Sequence, residues 1–267
     1  MVVLVSFGCA QNHFNVPVKN FASKVKVLGV VPIIVDVDSD IKHPQREQLL
    51  QLVAEMNRKY ELQLVRKLKA TGSFYSVVLL DGEPQKIFSS MLSRREKRDD
   101  ATIQYNKFFW RTEELQEYLR KNKLDAVMMV LVSGISKSDK ISSGSLLTSL
   151  TSEYNYLIMT AQILDGDGMI LWEYPNFRRR ILAYSPMINL QYPDFSEAEA
   201  NLSEKADVKS KTIEGIKRAF ELKNTDLLMR DTMEPKVYGT QFDEMVSLLG
   251  YDTEKGKKDP APTPEKK

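Results

Sequence analysis

Apolar and polar residues alternate along Tyr154 to Trp172 more regularly than anywhere else in the chain. Leu157, Met159, Ala161 and Ile163 take one parity, and Tyr154, Tyr156, Thr160 and Gln162 take the other. A period of two predicts a strand with one face in a core. Asp165-Gly166-Asp167-Gly168 then supplies residues that tolerate positive φ, predicting a tight hairpin and a return strand through Trp172. Leu124 to Val132 is apolar at both parities, which predicts a central strand covered on both faces. After Pro44 the period lengthens. Leu49, Val53, Met56, Tyr60, Leu64 and Leu68 recur every three or four positions, predicting a long amphipathic helix that stops at Gly72.

The remaining elements follow the same logic. A β-branched run over Val25 to Val35 predicts a strand, in which Pro32 marks an edge or a bulge. Phe74 to Leu80 predicts another, closed by the turn residues Asp81-Gly82-Glu83-Pro84. Thr112 can cap a helix carrying Leu115, Tyr118 and Leu119. A last amphipathic helix is expected over about 206–222 with Ile213, Ile216 and Phe220 inward, and a short one around Phe242 to Leu249. Ser133 to Ser152, rich in Ser, Gly and Thr, reads as a loop or loose hairpin. The stretches 84–110 and 178–200 read as excursions from the core. The fold class is therefore α/β: a mixed central sheet of about four to five strands with helices packed on it. Four regions result: 1–23 as signal remnant and lipoprotein tether, 24–222 as the α/β domain, 223–251 as a C-terminal extension, and 252–267 as a charged, Pro-containing disordered tail.

Composition narrows the function. The formal net charge is +2, which points to no nucleic-acid partner for the molecule as a whole. One cysteine, Cys9, excludes an internal disulfide and a multi-thiolate zinc site, and two histidines leave little material for His-based centres. Met1 to Gly8 is apolar and ends on a small residue before Cys9. It resembles the end of a bacterial lipoprotein signal whose earlier part would lie upstream of Met1, and Ala10 after the cysteine suggests sorting to the outer membrane.

The element order resembles the α/β domain of CsgG-like and LpoB-like bacterial envelope lipoproteins, and is similar to the amino-terminal domain of TolB. Val30-Val31-Pro32-Ile33 resembles the family's opening strand. Thr71 to Val78 resembles its small-residue segment and second strand, and Leu124 to Val130 its central strand. Ala161 to Trp172 resembles its hairpin with a Trp on the return strand. The resemblance spans about residues 24–222. It implies a non-enzymatic periplasmic module, anchored through a lipid on Cys9 to the inner leaflet of the outer membrane, that binds or scaffolds other envelope proteins or itself. The alternative it implies is a subunit of a CsgG-like secretion pore. For that pore, the alternating row Leu182, Tyr184, Ile188, Leu190 and Tyr192 is the candidate spanning strand.

Other chemistry is thin. Asp36, Asp38 and Asp40 with Glu47 have calcium-loop spacing, but Ile41 stands where such a loop needs glycine. Ser142-Ser143-Gly144-Ser145 lacks the Gly-Lys-Ser/Thr of a nucleotide cradle, and there is no G-x-S-x-G elbow. No cofactor, metal or catalytic group is therefore expected. The one sequence-level candidate for a partner surface is an aromatic and arginine set: Trp110, Arg111, Trp172, Tyr174, Arg178, Arg179 and Arg180.

Overall fold

The computed structural model of the chain describes residues 13–97, 106–142, 149–175, 185–194, 207–225 and 231–250. Helix α1 (Val18–Lys24) precedes strands β1 (Val27–Val30) and β2 (Ile34–Val35). Helix α2 (Arg46–Ala70) and strand β3 (Ser76–Leu79) come next. Helix α3 (Pro84–Met91), strands β4 (Leu92–Lys97) and β5 (Asn106–Trp110) and helix α4 (Thr112–Asn122) follow. Two long strands, β6 (Ala126–Ser142) and β7 (Ser149–Asp165), lead to β8 (Ile170–Tyr174). Strands β9 (Ile188–Asn189), β10 (Gln191–Asp194) and β11 (Asp207–Ser210) precede helix α5 (Ile213–Glu221). Strands β12 (Lys223–Thr225) and β13 (Asp231–Pro235) and helix α6 (Lys236–Leu249) end the described chain.

The mixed sheet is ordered β3-β1-β6-β7-β8. β1 is parallel to β3 and β6, whereas β6, β7 and β8 are antiparallel in turn. β2 continues the line of β1 beside β6, and β9 continues that of β8 beside β7, so seven strands fill five positions. The expected strand over Val25–Val35 is thus two strands, divided at Pro32, which has no N–H to give a ladder. This is the α/β architecture read from the sequence.

Helices cover both faces. Met128, Val130 and Val132 of β6 face one core, and Val127, Met129 and Leu131 the other. On the first face α2 buries Leu49, Val53, Met56, Leu64 and Leu68, the stripe that its period marked out. Each such side chain contributes about 1.5–3 kcal/mol relative to exposure. Leu64→Ala would cost about 2–5 kcal/mol through the cavity it leaves. The second face is closed by α3, α4 and the β4–β5 pair through Phe88, Met91, Phe108, Leu115 and Leu119. The 84–110 excursion therefore contains ordered elements. Its charged strand β4 carries no alternation that the sequence could disclose.

Two flanking segments belong to this body. Residues 13–23, expected as tether, dock on the outer edge of β8. Glu173 N–H donates to His13 O at 3.1 Å and Asn15 N–H to Leu171 O at 2.8 Å. Phe21 is fully buried, edge-on to Phe14 with ring centroids 5.0 Å apart. Within the 223–251 extension, α6 sends Tyr238, Phe242, Met245 and Leu249 into the first core. Helix α5 starts later than its period suggested. Residues 207–210 pair with β10, and the Thr212 hydroxyl caps the helix by accepting from Gly215 N–H at 3.1 Å. Thr112 opens α4 as its first helical residue and is not its cap. Gly72 after α2 (φ +68°) and Gly168 in the β7–β8 turn (φ +74°) hold the left-handed conformation those positions require. The 252–267 tail lies outside the described residues.

Candidate functional site

The feature that departs most from expectation is an arm. β6 and β7 pair without a register shift from Ala126↔Asp165 to Ser142↔Ser149. The neighbouring strands stop short: β2 reaches Val132 on one side, and β9 reaches Tyr156 on the other. Beyond those points, among the described residues, the hairpin continues without a third strand. At about 3.3 Å per residue it extends roughly 20–25 Å past the sheet. Ser133 to Ser152 reads as a loop because Ser, Gly and Lys are weak strand formers. The buried stem fixes the register, and the polar outer half follows it.

The root of the arm is fastened to the loop after β2. Asn155 is buried, and its amide nitrogen Nδ2 donates to Asp40 O (2.7 Å), Ile135 O (3.0 Å) and Ser136 Oγ (3.2 Å). Its Oδ1 accepts from Lys42 N–H at 2.9 Å. One side chain thus joins both strands to the loop. Gly134 faces the same loop, where a Cβ would lie 2.5 Å from Asp40 O. Ser39 Oγ accepts from Gly134 N–H at 2.8 Å.

Between this loop, the β4–β5 pair and the arm root lies a polar cleft of about 560 Å³. It sits at the carboxyl end of β2, where β6 leaves the sheet as the arm. The chain crosses from β1 to β3 through α2 on one face, and from β3 to β6 through α3 and α4 on the other. That reversal is where open α/β sheets place ligands. The cleft's charges, however, are largely paired with one another. Lys42 Nζ lies 2.8 Å from Glu153 and 3.4 Å from Asp40. The Glu153 hydrogen bond raises the lysine's pKa, and the same contact lowers that of Glu153. Fully buried Asp36 accepts from Asn106 Nδ2 at 2.9 Å and has Arg95 Nη1 at 3.3 Å, an ionic contact without hydrogen-bond alignment. Burial raises the Asp36 carboxyl, and Asn106 and Arg95 pull it back. Arg95 also reaches Asp38 at 2.7 Å.

The three aspartates with calcium-loop spacing are therefore held by cations and amides, and Ile41 is buried at the glycine position. Among the described residues no group of three or more His, Cys, Asp and Glu forms a metal site.

The sheet separates the proposed aromatic set. Trp110 is half-buried on β5 in the second core, its Nε1 donating to Gln162 Oε1 at 3.0 Å. Arg111 is exposed at the start of α4, 3.7 Å from Glu114. Trp172 and Tyr174 lie in the first core, 0% and 1% exposed, with rings stacked at 6.5 Å. Trp172 Nε1 donates to Leu248 O at 3.3 Å, and burial raises the Tyr174 hydroxyl well above the ordinary range. These two rings are packing residues with no surface to offer a partner. Cys9 and Arg178, Arg179 and Arg180 lie outside the described residues. In the alternating row, Ile188 and Leu190 are buried in the first core and Tyr192 is exposed. Leu182 and Tyr184 are outside the described residues. Asn155 and Gly134, which organise the arm root, carry no sequence signal: one sits at a polar strand position and the other in a Ser/Gly/Thr-rich run.

No protein-family model matches the chain, and no curated protein matches it in sequence. Among solved structures it is similar to the PelC dodecamer from Paraburkholderia phytofirmans, at 10% identity and a TM-score of 0.24, over 56% of this chain and 68% of that one. It is also similar to a protein described as a neuraminyllactose-binding hemagglutinin homolog from Helicobacter pylori, at 9% identity and a TM-score of 0.35, over 84% of each chain. Likenesses this faint carry no argument about function.

Proposed function

We propose that the chain is a non-enzymatic binding or scaffold module of the bacterial cell envelope. A lipid on Cys9 would hold it at the inner leaflet of the outer membrane. The β6–β7 arm would be the surface it presents to other envelope proteins or to further copies of itself. The arm is the observation that carries this reading. Past the sheet and the root contacts, among the described residues, no strand pairs with either of its outer edges, which leaves edges suited to strand addition. The root network holds the arm in one direction, which lowers the ordering cost of binding. The amino terminus is consistent with anchoring. His13 is fixed to β8, so a lipid on Cys9 would hold the body on a leash of about 14 Å, four residues at full extension.

The arm also favours the alternative, a secretion-pore subunit whose hairpins close a shared barrel. Its outer positions place Lys137, Asp139, Lys140 and Glu153 across both parities, leaving no continuous apolar row for lipid. That ranks the pore second.

Two measurements test the proposal. Mass spectrometry of the native amino terminus should find a diacylglycerol-modified Cys9; an unmodified Met1 in native material would remove the anchor. A photo-crosslinker at Lys140 should capture discrete envelope partners or a second copy. A second crosslinker at a body position should capture the same partners in the parent and lose them in a variant with residues 139–152 replaced by a two-residue turn, which should melt as the parent does. Unchanged crosslinks from a body position in the shortened variant would remove the arm from the proposal.

A further inference from the structure

A second cleft, of about 640 Å³, opens on the other side of β1, at the carboxyl ends of β1 and β3. Its floor is apolar, formed by Ile33, Val35, Leu79 and Leu80, and α2 contributes one wall. Its size falls within the range of small-ligand sites. Unlike the arm-root cleft, its charges are not balanced. Glu55, Glu61, Asp81 and Glu83 line it against a single cation, Arg58. Lys86 offsets only Glu83, at 2.7 Å.

Glu61 sets the chemistry. The residue is only 8% exposed, yet it lines the cleft. Its Oε2 accepts one long hydrogen bond from Ile33 N–H at 3.3 Å. Among the described residues Oε1 has no hydrogen-bond partner, and Arg58 acts on the group through space without a hydrogen bond. A carboxylate mostly buried and so thinly bonded, with one oxygen open to the cleft, is a ready acceptor for a cation. The surroundings keep it in place. Asn57 Nδ2 approaches the carbonyl of the same residue, Ile33 O, at 3.4 Å, and Tyr238 OH donates to Asn57 Oδ1 at 2.7 Å.

We propose that this cleft binds an ammonium or guanidinium group carried on an aliphatic stem, with Glu61 receiving the cation and the apolar floor receiving the stem. Asp81 and Glu55 at the rim add attraction, and Arg58 competes with the incoming charge. The same chemistry is offered by a free diamine or by a lysine or arginine side chain of a polypeptide. The inference concerns this cleft alone and does not rest on the envelope reading.

The test is titration of the full chain, followed by amide NMR shifts at Ile33 and Leu80. Four probes are compared: the free amines cadaverine and agmatine, and the capped peptides acetyl-Gly-Lys-Gly-amide and acetyl-Gly-Arg-Gly-amide. Saturable shifts with at least one cation are expected, with none from pentanol or glutarate. Glu61→Gln should weaken binding about tenfold or more, and Arg58→Ala should tighten it several-fold. A purely structural Glu61 would leave the Arg58→Ala affinity unchanged. Asp81→Asn, which leaves the Glu61–Ile33 hydrogen bond in place, should weaken binding by a smaller factor and serves if Glu61→Gln unfolds the chain. Tighter binding of the peptides than of the free amines assigns the site to polypeptide side chains; the reverse assigns it to small amines. Absence of saturable binding by any cation overturns the proposal. So does equal binding of glutarate, or an Arg58→Ala variant that binds no better than the parent.

Discussion

Gly134 and Asp40 approach so closely that a Cβ on the glycine would stand 2.5 Å from the aspartate's carbonyl oxygen, and 2.5 Å from Ile41 Cγ1 as well. The loop after β2 lies directly on the strand where the arm begins. Gly134→Ala should therefore cost about 1–3 kcal/mol, because backbone rather than a flexible side chain must shift. Gly166→Ala, whose Cβ would meet nothing nearer than 3.6 Å, should stay within about 0.5 kcal/mol of the parent. Chemical denaturation of both variants checks the contrast.

Asn155 should matter more than any other polar side chain at the arm root. Asn155→Ala leaves Asp40 O, Ile135 O and Lys42 N–H without their side-chain partner. Loss of about 2–4 kcal/mol is expected. Hydrogen exchange should accelerate at residues 133–136 and 153–157 before it accelerates in α2. Uniform acceleration across the chain would mean that Asn155 supports the whole fold equally.

Trp172 and Trp110 give the two cores separate optical reporters. With Trp110→Phe, the remaining Trp172 is fully buried, so its emission should be blue-shifted and resistant to iodide quenching. Trp172→Ala should destabilise by about 3–5 kcal/mol. Ready quenching of Trp172 would contradict its place beneath α6.

Glu61 should imprint a pH dependence on stability. Burial raises its carboxyl above the ordinary glutamate value, partly opposed by the Ile33 hydrogen bond and Arg58. The folded chain then holds this proton more readily than the unfolded chain. From this group alone, stability is highest below the unfolded value and falls as pH climbs through the raised folded value. Glu61→Gln should therefore gain on the parent across that window, read from denaturation midpoints between about pH 4 and 8. Parallel pH curves for the two proteins would refute the sign.

Sequence disclosed the elements whose burial is periodic. The α2 stripe from Leu49 to Leu68, the doubly buried β6 stem from Ala126 to Val132, and the Asp165–Gly168 turn all follow from local spacing. What escaped has a different origin. The outer arm takes its strand geometry from pairing with a distant segment, as Lys137↔Tyr154 illustrates, and its own residues express no preference for it. Phe14 and Phe21 look like part of a tether until β8 and α1 are brought together. Trp172 and Tyr174 are core residues and not part of a surface patch; strand parity cannot say which helix covers a face. Trp172 is hidden by α6, an element 64 residues further on at its first residue, Lys236. Glu61 sits on a helix among other charges, and only its burial and the hydrogen bond from Ile33 N–H set it apart from them.

The unbroken β6–β7 ladder also makes a lever. The residues that protrude are covalently and hydrogen-bond continuous with those that form the floor of both cores, with no hinge between Ala126 and Ser142. A tilt of about 5° in the stem would carry the tip through roughly 2 Å over that overhang. A load applied at the tip would in turn be felt as shear along pairs such as Val130↔Ala161, deep between the helices. Whatever grips the end of this molecule therefore also grips its middle.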